Sequence, residues 1–166
     1  SAEFKASEAV VAFAHKHEFA AVLELIGEGL LLSDYRFQQF KSRQSQQARL
    51  GNVKLVVPSG EKSLRAALER GQSCARATCY ARDLVNLPAA NATPSFLAKQ
   101  ARAIGRSQKL SVKVLDAAAM KRLGMGAVLG VAQGSAQPPV FLELVYKPAK
   151  PAQRRIAIVG KGVTFD

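Results

Sequence analysis

The chain has 166 residues, 48% of them hydrophobic, so it suits one ordinary domain or parts of two and has enough apolar side chains for a core. Its formal net charge is +12, a balance that favours anionic partners. No apolar run approaches the length needed to cross a bilayer, and the first residues lack a signal-peptide pattern, so we expect no membrane segment.

Cys74 and Cys79 are the only cysteines, and their spacing places them on different faces of a helix. Neither lies near further Cys or His residues that would complete a zinc site. We therefore expect two reduced thiols in an intracellular protein. His15 and His17 lie close together without a partner cluster, and we expect both at the surface.

The first third of the chain carries alternating signals for helices and a strand. Apolar residues at helical spacing predict a helix over residues 7–17 and a second over residues 19–32. A polar, Gln-rich stretch at 38–47 predicts an exposed loop or linker. Residues 53–57 predict a short strand, which Pro58 and Gly60 end.

The longest predicted helix covers residues 61–87 and ends at Pro88. Small and apolar side chains recur along it at steps of three and four, which predicts close packing against a neighbouring element. These residues are Leu64, Ala67, Leu68, Gly71, Ala75 and Cys79.

From Thr93 onward the predicted elements alternate between helices and strands. Thr93 is the expected N-cap of a helix with Pro94 in its first turn, and Asp116 is the expected cap of another. The order helix, strand, helix, strand, strand predicts an α/β layer with helices against a mixed sheet. The elements are a helix to about Arg106, a strand at 111–115, a helix at 117–123, a glycine-punctuated segment at 124–134, and strands at 140–146 and 156–159.

A lysine between two glycines, Gly160-Lys161-Gly162, follows the last predicted strand directly, and Asp166 lies five residues further on. An amine and a carboxylate at the end of a buried strand are costly to desolvate. This arrangement therefore indicates a functional role for the two side chains. A lysine side chain in a pocket that excludes water can lose its proton when a cation is nearby. Its neutral amine would then supply a nitrogen ligand and Asp166 oxygen ligands, a combination that suits zinc, manganese or cobalt. The alternative is a strand-end turn with two solvated charges.

Other catalytic and nucleotide-binding patterns fail on spacing. The glycines at 124–130 do not follow a strand as a dinucleotide loop requires. Arg155 and Gly162 occupy positions where a phosphate loop needs Gly and Ser or Thr. No Ser/His/Asp or Cys/His constellation can be assembled.

Residues 159–166 resemble the first metal-binding motif of the leucyl aminopeptidase (cytosol aminopeptidase) family. Three upstream segments resemble the same family in the same order, so the resemblance covers essentially residues 28–166. They are residues 28–32 with Tyr35-Arg36-Phe37, residues 81–88 with Thr93-Pro94, and residues 123–135 with Pro138-Pro139.

The resemblance implies a cytoplasmic two-metal aminopeptidase that removes N-terminal residues from peptides and assembles as a homo-hexamer. Carried over, Lys161 binds one divalent ion, zinc or manganese, and Asp166 bridges both. The family's other metal carboxylates, its second active-site lysine and its catalytic arginine follow this motif. We therefore expect no catalytic residue within the chain and no peptide hydrolysis by the chain alone.

The same resemblance predicts how the chain is divided. Residues 1–60 would be the C-terminal part of an N-terminal α/β domain, residues 61–87 an interdomain helix, and residues 88–166 the first part of a catalytic α/β domain with a mixed sheet flanked by helices. The alternative is a non-catalytic structural or nucleic-acid-binding derivative of this scaffold. Its basic residues are scattered, however, without an aromatic-interleaved pattern.

Overall fold

The computed structural model describes residues 8–12, 19–42, 51–57, 61–150 and 153–164, and the chain forms two compact units, Ser1–Asn86 and Leu87–Asp166. None of the helices in these described ranges is long and apolar enough to span a membrane. In chain order the elements are β1 (Glu8–Ala12), α1 (Phe19–Ser33), β2 (Asn52–Val56), α2 (Glu61–Asn86), α3 (Pro94–Gln108), β3 (Ser111–Leu115), α4 (Ala117–Arg122), α5 (Gly126–Val131), a 3-10 turn (Ala132–Gly134) and β4 (Phe141–Val145).

Helices α1 and α2 pack closely against each other in the first unit. A methyl group at Gly71 would overlap the backbone carbonyl of Glu24, so the α2 backbone lies directly on α1 at this point. Leu64, Ala67 and Ala75 of α2 are buried, which confirms the predicted small-residue face. The Arg70 guanidinium also lies 2.9 Å from the Glu24 carboxylate, but this pair is exposed and stabilises the contact little.

Strands β1 and β2 form a parallel pair, in register from Glu8 opposite Asn52 to Ala12 opposite Val56. The helix predicted for residues 7–17 is therefore wrong where the structure describes it, and residues 13–17 lie outside the described ranges. Val10 and Val11 are β-branched, which favours a strand. The backbone of β2 supplies the hydrogen-bond partners that the strand needs. Pairing between distant segments has prevailed over the local helical spacing.

Helix α3 begins and ends at residues that satisfy its terminal backbone groups. The Thr93 hydroxyl accepts a hydrogen bond from the Phe96 amide at 3.2 Å, as predicted, and Lys109 ends the helix in the left-handed conformation, with φ 55°. Its buried residues are Ala98, Ala101 and Gly105. A methyl group at Gly105 would overlap the side chain of Val112, so α3 lies directly on β3.

Strands β3 and β4 form an antiparallel pair, in register from Ser111 opposite Val145 to Leu115 opposite Phe141. The Asp116 carboxylate accepts a hydrogen bond from the Ala119 amide at 2.7 Å and caps α4, as predicted. Most of the glycine-punctuated segment is helical, because α5 and the 3-10 turn occupy it. The chain is thus α/β, with a parallel pair of strands in the first unit and an antiparallel pair in the second.

The strand predicted at residues 156–159, called the 156–159 segment from here on, is not formed. Its side chains are exposed, at 88% for Ile156, 96% for Ile158 and 91% for Val159. A strand forms only where a neighbouring strand satisfies its backbone groups, and the segment pairs with none of the described strands. The prediction of a buried strand is therefore wrong for this structure.

The close contact between α1 and α2 predicts opposite effects for two glycine substitutions. Gly71→Ala should destabilise the first unit by about 1–3 kcal/mol, because the new methyl group overlaps the Glu24 carbonyl. Gly29→Ala in α1 meets no atom within 4 Å and should stabilise the helix by up to about 1 kcal/mol. Urea unfolding followed by circular dichroism measures both. Equal stability of the two variants would contradict the described packing.

Candidate functional site

Lys161 is exposed and lies in a stretch without regular secondary structure that continues from the 156–159 segment. Asp166, the second predicted metal ligand, lies outside the described residues. The structure therefore places one of the two predicted ligands and leaves their proximity a prediction.

The described residues do not contain the rest of a metal centre. Among them no group of three His, Cys, Asp or Glu side chains could hold an ion. Asp116 and Glu143 are the acidic residues of the second unit in the described ranges; the first caps α4 and the second lies on β4. These described residues do not fit a complete two-metal site.

A polar cluster joins the residues after α1 to the end of α2. The Tyr35 hydroxyl donates to the Asp83 carboxylate at 2.9 Å and accepts from the Asn86 amide at 3.1 Å. The Arg82 guanidinium lies 5.5 Å from the centre of the Tyr35 ring, within cation–π range. We call Tyr35, Arg82, Asp83 and Asn86 the Tyr35 cluster. The cluster lies within two of the segments that carry the family resemblance. It links the residues after α1 to the C-terminal end of α2.

The environment of this cluster changes the acidity of its phenol. Desolvation raises the pKa of Tyr35 above its ordinary value of 10.0, the hydrogen bond from Asn86 lowers it, and the bond to Asp83 raises it further. The net direction is upward, so the protonated phenol is favoured in the folded chain. Burial likewise raises the pKa of Tyr80 on α2.

Sequence patterns gave little sign of the Tyr35 cluster. Tyr35 and Asp83 are 48 residues apart, and only the spacing of three between Asp83 and Asn86 on α2 could have indicated a shared helix face. Lys161 was predicted from a short contiguous motif, which is easier to recognise in a sequence than a contact between distant residues.

Comparison with known proteins identifies the family. The model of the cytosol aminopeptidase family catalytic domain matches residues 79–166, more than half of the chain. The chain belongs to the cytosol aminopeptidase family. The matched region begins within α2 and includes Lys161 and Asp166.

Curated members of the cytosol aminopeptidase family show the same relationship over most of the chain. A probable cytosol aminopeptidase of Aromatoleum aromaticum is 42% identical over 149 residues, and one of Gloeobacter violaceus is 43% identical over 158 residues. These alignments cover 87% and 88% of this chain but 30% and 31% of the two relatives. The chain thus spans about a third of the length of the curated family members it matches.

A solved structure extends the similarity to the fold. The bottromycin maturation enzyme BotP, in complex with Mn, matches with a TM-score of 0.68 and 34% sequence identity. The match covers 78% of this chain and 26% of BotP.

The raised pKa of Tyr35 predicts a pH-dependent stability. A group whose pKa is higher in the folded chain contributes stability below its unfolded pKa and loses it as the pH rises through the folded value. Stability of the first unit should therefore fall as the pH rises above about 10. Tyr35→Phe should melt at a lower temperature at neutral pH, because two hydrogen bonds are lost, and should show a flatter decline above that pH.

Thermal melting followed by circular dichroism at a series of pH values checks this expectation. The exposed Tyr146→Phe variant is the control, because it also removes a phenol hydroxyl but lies outside the cluster. Parallel pH profiles for the wild type and Tyr35→Phe would rule out a raised pKa at Tyr35.

Proposed function

We propose that the chain is part of a metal-dependent aminopeptidase that releases N-terminal residues from peptides. The observation that carries the proposal is the match of residues 79–166 to the cytosol aminopeptidase catalytic domain, which ends on the motif containing Lys161 and Asp166. The curated relatives, named as probable cytosol aminopeptidases, support the same activity.

In this proposal Lys161 and Asp166 are ligands of two divalent ions, zinc or manganese. The Lys161 amine supplies nitrogen and the Asp166 carboxylate supplies oxygen, a donor set that suits both metals. The Mn named in the complex of BotP, whose structure is similar to this chain, supports a divalent ion here. Divalent ions at such a centre supply Lewis-acid polarisation of the scissile carbonyl. The chain's own task is to present the two side chains after the 156–159 segment.

We also propose how the chain is divided between domains. Residues 1–60 belong to an N-terminal domain, residues 61–87 form the interdomain helix, and residues 88–166 begin the catalytic domain. The match beginning at residue 79 and the unit boundary after Asn86 both fall near this division. The complete protein would act on peptides in the cytoplasm as a homo-hexamer.

The 166-residue chain alone should not hydrolyse peptides, because its described residues contain no complete metal centre. The purified chain, incubated with Leu-p-nitroanilide and added Mn²⁺ or Zn²⁺, should release no p-nitroaniline above a buffer control. Sustained, metal-dependent release of p-nitroaniline by an activity that co-purifies with the chain would contradict this part of the proposal.

A chimera tests the role of Lys161 in a complete active site. Residues 1–166 replace the matching segment of the Aromatoleum aromaticum relative, with which the chain is 42% identical over 149 residues. Lys161→Ala in this chimera should lower kcat/KM at least about a hundredfold, as expected for loss of a metal ligand or its partner. It should also lower the bound metal measured by mass spectrometry of the purified protein.

Lys150→Ala is the matched control, since Lys150 is also an exposed lysine in a stretch without regular structure. It should leave both metal content and kcat/KM within about twofold of the parent chimera. A Lys161→Ala chimera with full activity and full metal content would refute ligation by Lys161, and an inactive parent chimera that binds metal would refute the proposed activity.

A further inference from the structure

A cavity of about 330 Å³ lies between the second half of α3 and the start of β3. Pockets that hold small organic molecules have volumes of roughly 300–1,000 Å³, so this cavity suits a ligand at the small end of that class. We call it the α3–β3 cavity. Its lining residues are Arg102, Gly105, Arg106, Leu110 and Val112.

The lining of the α3–β3 cavity combines an apolar part with a cationic part. Gly105 is buried, Leu110 and Val112 are half-buried, and none of the three has a polar side chain. Arg102 and Arg106 are exposed and supply two positive charges to the same cavity. The cavity therefore suits a molecule with one apolar end and one anionic end.

Arg102 and Arg106 are placed to act on the same anion. They are four residues apart on α3, which puts their Cβ atoms about 5–6 Å from each other on one helix face. A guanidinium is planar and donates two parallel hydrogen bonds to a carboxylate, so two of them can surround one anionic group. Arg106 in the last turn also interacts favourably with the helix dipole, but Arg102 lies a turn earlier, where this effect is small. Helix stability therefore does not explain the pair.

The acidic side chains in the described part of the second unit do not neutralise these two arginines. No ion pair among the described residues includes either of them. The Asp116 carboxylate caps α4 by accepting a hydrogen bond from the Ala119 amide. Because Val112 contacts α3, strand alternation places Lys113 and the opposing Glu143 on the other face of the sheet. The described cavity thus offers nothing that could pair with an ammonium group.

The backbone around the cavity favours a carboxylate over a phosphate. A phosphate group carries more charge and is commonly held by free backbone amides at a helix N-terminus. This cavity lies near the C-terminal end of α3, where the helix dipole is negative. The amides of Lys109 and Leu110 both donate to the Gly105 carbonyl, so they are already used within the chain. A singly charged group is therefore favoured over a doubly charged one.

We propose that the α3–β3 cavity binds a small monocarboxylate with an apolar body, such as a short-chain acid that carries a phenyl ring. The guanidiniums of Arg102 and Arg106 hold the carboxylate, and Leu110 and Val112 contact the apolar body. A free amino acid is a poor ligand, since its ammonium group meets two positive charges and no acidic partner. This preference is opposite to that of an aminopeptidase site, whose substrates carry a free N-terminal amine.

Titration of the ¹⁵N-labelled chain with 3-phenylpropionate, followed by two-dimensional NMR of its amides, tests the proposal. Amide signals of residues 102–112 should shift and saturate with a dissociation constant in the millimolar range, as expected for a ligand of about eleven non-hydrogen atoms. L-Phenylalanine differs from this probe by one ammonium group and should bind at least about tenfold more weakly. Acetate, which lacks the ring, and 3-phenylpropanol, which lacks the charge, should also bind more weakly.

Substitution of the two arginines tests their role with the same probe. Arg102→Gln/Arg106→Gln should weaken binding of 3-phenylpropionate at least about tenfold, because two charged hydrogen-bond donors are lost. Arg102→Lys/Arg106→Lys keeps the charges but loses the planar guanidiniums, so its affinity should lie between those of the wild type and the glutamine variant.

The control is Lys121→Gln/Arg122→Gln, which removes two exposed charges from the last turn of α4, outside the cavity. At about 0.15 M salt it should change the affinity less than about twofold, because distant surface charges are screened. Circular dichroism should show all variants equally folded.

Four results would overturn the proposal: no saturable shifts, equal affinity for L-phenylalanine, equally tight binding of phenyl phosphate, or equal losses in the control and the Arg102→Gln/Arg106→Gln variant. The measurement uses neither a metal nor a peptide substrate, so its outcome is independent of the proposed aminopeptidase activity.

Discussion

The contact between Gly105 of α3 and Val112 of β3 determines how the second unit is built. Without a side chain at Gly105, the helix lies directly on the sheet, and Ala98 and Ala101 are buried on the same side of α3. The same contact orients the rest of the helix. Since the small residues face the strands, the positions about one-quarter turn away remain at the surface, and these are the positions of Lys99, Arg102 and Arg106. A larger residue at 105 would separate helix and sheet and change both surfaces together.

The sequence predicted best those elements whose ends are set by neighbouring residues. Thr93 and Asp116 each bond a backbone amide three residues away, so α3 and α4 begin where their caps indicated. β1 was predicted as a helix because its identity depends on pairing with β2, more than 40 residues further along the chain. The 156–159 segment illustrates the opposite error, since its composition is typical of a buried strand but the described structure supplies no partner for it.

The candidate site shows the same division between local and distant information. Lys161 and Asp166 stand in one short motif, so a family resemblance was enough to select them, whereas their geometry depends on residues that the described structure does not include. The Tyr35 cluster depends on contacts across 48 and 51 residues and could not be derived from spacing.

The exposed 156–159 segment also has a consequence for solubility. Four exposed apolar residues without regular secondary structure, and without proline or charge among them, can add to the edge of a neighbouring molecule's sheet and begin cross-β assembly. Arg154 and Arg155 precede the segment, and Lys161 follows it after one glycine. Like charges at both ends oppose the stacking of identical segments, which makes these three residues gatekeepers against aggregation. Lys161 would then protect the chain during folding, in addition to the metal binding proposed for it, and its charge would matter before any active site exists.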